Sequence, residues 1–249
     1  MAGTALRRRL GTPWRAARVV HVHAETPSAR TLRLAVDSWP GHLPGQHVDV
    51  RLTAADGYSA QRSYSLSAPA DGDVVEMSVQ RVVDGEVSPF LVDEIDVGDE
   101  LEVRGPLGGW FVWRPDQPEP VLLVGGGSGV APLMAMLRAR AAEPGTSAPF
   151  RLIYSARTAD EVYYADELRT TSAAEVAVLY TRSAPEGTTR AAHRIDAHDL
   201  ATHGWPAESQ PTSYVCGPTP FVEAVAMLLI DAGHDPARIR TERFGASGG

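Results

Sequence analysis

The sequence predicts two domains of different class: a six-stranded antiparallel barrel followed by a parallel-sheet α/β domain. Three observations carry this. Residues 17–112 are short β-branched runs broken by Gly, Pro and Asp; beyond 120, continuous apolar runs alternate with helical repeats; and Arg114-Pro115-Asp116-Gln117-Pro118-Glu119-Pro120 between them is polar and proline-rich. Antiparallel strands joined by tight turns give the first pattern, and strands covered by helices on both faces give the second. The expected division is a flexible tail over 1–13, the barrel domain over 14–115 and the α/β domain over 116–249.

In chain order, the barrel strands are expected at 18–22, 31–36, 47–52, 64–67, 74–82 and 100–104. Helical spacing of Phe90, Leu91 and Ile95 predicts one helix, at 87–95. In the second domain the apolar strand 121–124 runs into glycines and then a helix at 131–142, where Leu133, Met136 and Leu137 share a face. Strand 150–155, helix 165–170, strands 176–181 and 213–216, and helix 218–232 follow. There is no internal repeat or low-complexity segment.

Composition narrows the chemistry. A net charge of -8 over 249 residues gives no electrostatic basis for a nucleic-acid partner or an anionic membrane surface. No apolar run approaches the roughly 20 residues of a membrane span, and Arg7-Arg8-Arg9 leads into no hydrophobic signal region, so a cytoplasmic protein is expected. The single cysteine, Cys216, excludes an internal disulfide and a thiolate-held zinc or iron–sulfur centre built from this chain alone. All 23 basic residues are arginine, which removes P-loop and Schiff-base chemistry. His21, His23, His42 and His47 have no adjoining carboxylate set and read as strand and loop residues, so no metal is expected.

Gly125-Gly126-Gly127-Ser128-Gly129 lies between an apolar strand and a helix. There the glycines admit a pyrophosphate close to the backbone, and the helix start favours its charge; a tight turn without ligand is the simpler alternative. Val130 breaks the frame of a hydrolase elbow.

With Arg62-Ser63-Tyr64-Ser65 before this loop and Cys216-Gly217-Pro218 after it, the chain resembles the ferredoxin–NADP reductase superfamily in its stand-alone form without an iron–sulfur domain, over about residues 14–244. The resemblance implies a flavin-binding barrel and a nicotinamide-binding α/β domain. It implies that Arg62 pairs with the flavin phosphate, that Ser63 and Tyr64 line the flavin, and that Ser65 hydrogen-bonds near flavin N5. Taken singly, Arg62 also reads as a solvated strand arginine and Tyr64 as a core aromatic. A second flavin segment resembles Gly85-Glu86-Val87-Ser88, with Gly85, Val87 and Ser88 toward the pyrophosphate, though Ser88 alone reads as a helix cap.

On the nicotinamide side, the resemblance implies that Gly126, Gly127, Ser128 and Gly129 cradle the pyrophosphate, and that Cys216, Gly217 and Pro218 position the ring. Thr241-Glu242-Arg243-Phe244-Gly245, taken to follow the last strand, supplies Glu242 for a hydrogen-bond set with Ser65 and Cys216, and Phe244 either over the flavin or as edge packing. Ser155, Arg157 and Arg182, at the ends of two strands, are expected to form a pocket for the 2′-phosphate of NADPH, while Asp160 and Glu161 leave NADH open.

The function implied is an FAD-dependent reductase, FMN being the lesser alternative. It takes hydride from NADPH or NADH and passes electrons to a separate ferredoxin, oxygenase or cytochrome P450 component. A flavin or quinone reductase, and a non-catalytic flavin-binding regulatory subunit, are the alternatives.

Overall fold

A computed structural model describes residues 12–54, 56–143, 145 and 148–244. Most of the expected tail and the terminal segment beginning at Gly245 lie outside them.

The first sheet is antiparallel, built from β1 (Trp14–Thr26), β2 (Ala29–Ala35), β3 (His47–Thr53), β4 (Ser59–Ser65), β5 (Val74–Gln80) and β6 (Glu100–Leu107). Its strand order is β4-β3-β6-β1-β2-β5, and a Leu66–Met77 bridge brings the two edges together. Alternate residues point inward, so Leu32, Leu34, Val48, Val50, Met77 and Val103 form a fully buried core.

Strand β4 departs from expectation. It starts five residues earlier, at Ser59, and ends at Ser65 instead of reaching Ser67. Its residues are largely polar and exposed, so its pairing with β3, from Ser59 opposite Thr53 to Ser65 opposite His47, is what makes it a strand. The expected helix at 87–95 is reduced to a π-helical turn, Phe90–Glu94, with Ile95 already extended. Ser88 is not its cap: the Ser88 hydroxyl accepts the Val82 amide at 3.0 Å.

The second sheet is parallel, with order β11-β10-β7-β8-β9. It comprises β7 (Val121–Gly126), β8 (Phe150–Ala156), β9 (Glu175–Tyr180), β10 (Thr212–Pro218) and β11 (Ile239–Phe244). Helices α1 (Val130–Ala142) and α2 (Ala165–Thr170) cover one face, α3 (Ala197–His203) and α4 (Thr219–Asp231) the other. Along β7, Val121 and Leu123 join the core under α1, whereas Leu122 and Val124 join the core under α4. This two-residue alternation beneath helices on both faces is why the strand reads as unbroken apolar sequence.

Two elements had no place in the sequence reading. Helix α3 carries only Asp199 and Leu200 as buried residues, and it is nucleated by a capping box between Asp196 and Asp199. Strand β11 contains Thr241, Glu242, Arg243 and Phe244, which were expected to lie after the last strand. Its charged residues suit a sheet edge.

A part-buried polar network joins the two units. Arg138 on α1 donates to Glu76 of β5 at 2.6 Å, to the Ser67 carbonyl at 2.9 Å, and to both oxygens of Glu167 on α2 at 2.8 and 2.6 Å. Its guanidinium lies over the Tyr164 ring. Tyr164, held at a left-handed φ of 54°, donates its amide to Glu25 of β1 at 2.9 Å and pairs its hydroxyl with Ser78 of β5.

Candidate functional site

The barrel contributes one polar strand. Along β4, Tyr64 is half-buried on the core, and burial pushes its phenol pKa well up. Arg62 is exposed and donates to Glu86 at 3.0 Å, while the Tyr58 hydroxyl donates to the same carboxylate. Ser63 donates to Asp49 at 2.6 Å, a bond that ties β4 to β3 and directs its hydroxyl to the barrel wall. Gly85 sits where a Cβ would come within 3.0 Å of the Ser88 hydroxyl and 3.1 Å of the Val82 carbonyl. A Cβ there would press on both, so the turn from Val82 to Ser88, with Val87 fully buried inside it, is tight at this glycine.

The second sheet contributes its carboxyl ends. Gly127–Gly129 forms a 3-10 turn leading into α1. Gly127 has a φ of +56° with open space beside it, and Ser128 next to it is half-buried. A Cβ on Gly129 would stand 2.3 Å from the carbonyl oxygen of Cys216, so glycine is what lets this loop lie against the end of β10. Gly126 and Gly217 both face the ring of Phe221, which a Cβ would meet at 2.8 and 2.7 Å. Phe221 thus fills the space between the two glycine segments, a role no local pattern signalled. Cys216, Gly217 and Pro218 all belong to β10, and α4 starts only at Thr219.

These two parts meet at Ser65 and Glu242. The Ser65 hydroxyl donates to Glu242 Oε1 at 2.6 Å, linking β4 to β11 across 177 residues of sequence. Cys216 is the register partner of Glu242 on the neighbouring strand, and Pro218 that of Phe244. Burial pushes the Glu242 carboxyl pKa up, with the Ser65 bond and His47 opposing it. Burial, then the Glu242 charge, push the Cys216 thiol well above its usual range, which keeps it protonated. Phe244 is half-buried against the core that also holds Cys216 and Tyr214.

Ser155 is buried at the end of β8, and the Arg182 amide donates to the Arg157 carbonyl at 2.9 Å. The two arginines therefore start from adjoining backbone and both reach solvent. Glu161 lies 3.9 Å from Arg157.

Two histidines make side-chain contacts within the fold. His42 receives the Trp39 indole N–H at 3.1 Å and contacts the Ala68 carbonyl at 2.8 Å. His193, Asp196 and Asp199 cluster within 4.8 Å, but Asp199 is occupied by Arg190 at 2.6 and 2.7 Å and Asp196 caps α3. That cluster is an ion-pair network.

An arginine-bearing barrel strand beside a glycine-threaded parallel sheet, joined by a part-buried serine–carboxylate bond, defines a two-domain oxidoreductase of the flavin and nicotinamide type. Residues 16–112 match the oxidoreductase FAD-binding domain family, and residues 123–227 match the oxidoreductase NAD-binding domain family. The chain belongs to the ferredoxin–NADP reductase superfamily. It is 33% identical over 238 residues to a flavohemoprotein of Pseudomonas aeruginosa, covering 92% of this chain and 58% of that protein. It is 32% identical over 229 residues to the reductase component of propane 2-monooxygenase from Mycolicibacterium goodii, covering 88% and 64%. The flavohem-like FAD/NAD-binding domain of nitric oxide dioxygenase from Vibrio cholerae superimposes with a TM-score of 0.77 at 26% identity, over 93% of this chain and 99% of that one. The chain thus spans about three fifths of the two curated relatives.

Proposed function

We propose that the chain is an FAD-dependent reductase that accepts hydride from NADPH or NADH and delivers electrons to a separate ferredoxin, oxygenase or P450 component. Residues 14–115 serve as the FAD domain and 116–249 as the nicotinamide domain. The bond between Ser65 and Glu242 at 2.6 Å carries the reading, because it brings a barrel hydroxyl and an α/β-domain carboxyl to one point beside Cys216. A module that only bound flavin has no use for such a junction.

The residues present suit the cofactors. Arg62 offers a half-exposed guanidinium for charge-assisted bonds to phosphate, and Tyr64 an aromatic surface on the same strand. Gly127 and Gly129 open the backbone at a helix start, where a pyrophosphate is favoured. FAD, when bound, supplies the two-electron acceptor that couples hydride donors to one-electron partners. Ser65 presents its hydroxyl at the reacting edge and Glu242 fixes that hydroxyl's direction. Cys216, neutral and buried, packs against the nicotinamide without forming a bond to it. Arg157 and Arg182, with Ser155, take the 2′-phosphate of NADPH.

Among the described residues no helix is long and apolar enough to cross a membrane. A cytoplasmic location agrees with dependence on reduced nicotinamide nucleotides. The test is direct: the purified protein should carry a flavin absorbance, bleach on anaerobic addition of NADPH or NADH, and pass electrons to an added ferredoxin faster than to oxygen. A protein that takes up no flavin overturns the reading. Rapid bleaching followed by transfer only to free flavin or quinone would replace the protein acceptor with a small one.

A further inference from the structure

Arg62, to which the proposed function gives the flavin phosphate, already has a carboxylate. Its Nη2 donates to Glu86 at 3.0 Å while Nη1 donates to the Gln61 carbonyl at 2.7 Å. Glu86 is held from a second side by the Tyr58 hydroxyl. The side chains of Arg62 and Glu86 are 53% and 48% exposed, so the pair stands open to an incoming ligand. Two donors fix the carboxylate and keep it ionised, its pKa lowered first by the Tyr58 bond and then by Arg62.

A phosphate arriving at Arg62 therefore meets a neutral pair. It must share the guanidinium with Glu86 at close range, so the charge it brings decides the cost. A phosphate monoester, the terminus of FMN, carries about −1.5 to −2 at pH 7. Each phosphate of the FAD diphosphate has one ester and one anhydride bond and carries about one negative charge. Resting on the flavin-binding reading above, we infer that Glu86 is the residue by which this chain selects FAD over FMN, repelling the more concentrated charge of the mononucleotide. Tyr58 is the positioning residue that keeps Glu86 at Arg62.

Arg62 and Glu86 are half exposed, so water screens the site, and repulsion between groups about 4 Å apart then changes affinity by about fivefold for each added charge, and by less as salt rises. The test uses the full-length protein stripped of flavin and titrated separately with FAD and FMN, following flavin fluorescence. In wild type, FAD binds more tightly. In Glu86→Gln, FMN affinity should rise about twofold to fivefold more than FAD affinity, as half to one added charge requires, narrowing the ratio of the two Kd values, and about 0.5 M salt should erase most of the difference between variant and wild type. Tyr58→Phe, which keeps the ring but releases the carboxylate, should move the ratio the same way by a smaller amount.

An unchanged ratio in Glu86→Gln overturns the inference, as does parallel weakening of both flavins, which would make Glu86 only a prop for Arg62. Equal binding of FAD and FMN by wild type also overturns it. Wild type that binds no flavin overturns the proposed function along with it, whereas selective FAD binding with an unmoved Glu86→Gln ratio leaves that function standing. Unfolding temperatures of the flavin-free variants matching wild type show that the ratio reports charge and not folding.

Discussion

The hydroxyl of Ser65 donates to Glu242 at 2.6 Å, and this bond is the point at which the barrel and the parallel sheet meet in the candidate site. Removing the hydroxyl in Ser65→Ala should lower the rate of flavin reduction by NAD(P)H on the order of tenfold to a hundredfold, the scale of a small misplacement of reacting groups. FAD affinity should stay near wild type, because Arg62 is untouched. Stopped-flow absorbance checks the first and flavin titration the second; equal loss in both would make Ser65 a binding residue only.

Glu242 also sets a pH dependence of stability. Its folded pKa is raised above the unfolded value, chiefly by burial. The native state therefore holds a proton that the unfolded state has released, and stability falls as pH rises from the ordinary carboxyl pKa, about 4.3, through the folded value. Glu242→Gln should gain stability relative to wild type above that window, and the gain should vanish below it. Denaturant midpoints measured across pH decide this; a gain independent of pH would contradict it.

Gly129 is where the glycine loop touches β10. In Gly129→Ala the new methyl would stand 2.3 Å from the Cys216 carbonyl oxygen, so backbone must move. A loss of about 1 to 3 kcal/mol is expected from such overpacking, together with a raised KM for the nicotinamide nucleotide. Gly127→Ala, with open space beside it, should cost less, through its positive φ alone. Chemical denaturation and steady-state kinetics on the two variants test the order.

Arg138 clamps the two units. Removing one partner of a largely buried ion pair costs about 3 to 5 kcal/mol, and Arg138→Ala would strand both Glu76 and Glu167. With 24% of the Arg138 side chain exposed, the low end of that range is expected. Urea unfolding should also lose its single transition if the units then melt apart. Retention of one sharp transition at the wild-type midpoint would show that the apolar contacts suffice.

The proposed function gives cofactor choice to the arginines that follow β8 and β9. The double variant Arg157→Ala, Arg182→Ala should lower kcat/KM for NADPH at least about tenfold relative to NADH, as expected when charge-assisted bonds to phosphate are lost. An unchanged NADPH to NADH ratio would remove both residues from the pocket.

The two-domain class, most of the barrel strands, the strands β7, β8 and β10 with helices α1 and α4, and the order of the three motifs were legible because alternation, unbroken apolar runs and glycine loops are local properties of the chain. The extent of β4, the existence of β11 and the short α3 were not. Their residues are mostly polar, and sheet pairing or a cap, not apolar periodicity, makes them regular. The junction of Ser65 with Glu242 could be expected only through family resemblance. The Arg138 clamp, the Phe221 ring over Gly126 and Gly217, and the Glu86 carboxylate on Arg62 had no sequence signal, since each joins residues from separate elements. Backbone preference and burial pattern act over a few residues and so are written along the chain. Which charge faces which depends on how two sheets pack, and that is decided only once the chain has folded.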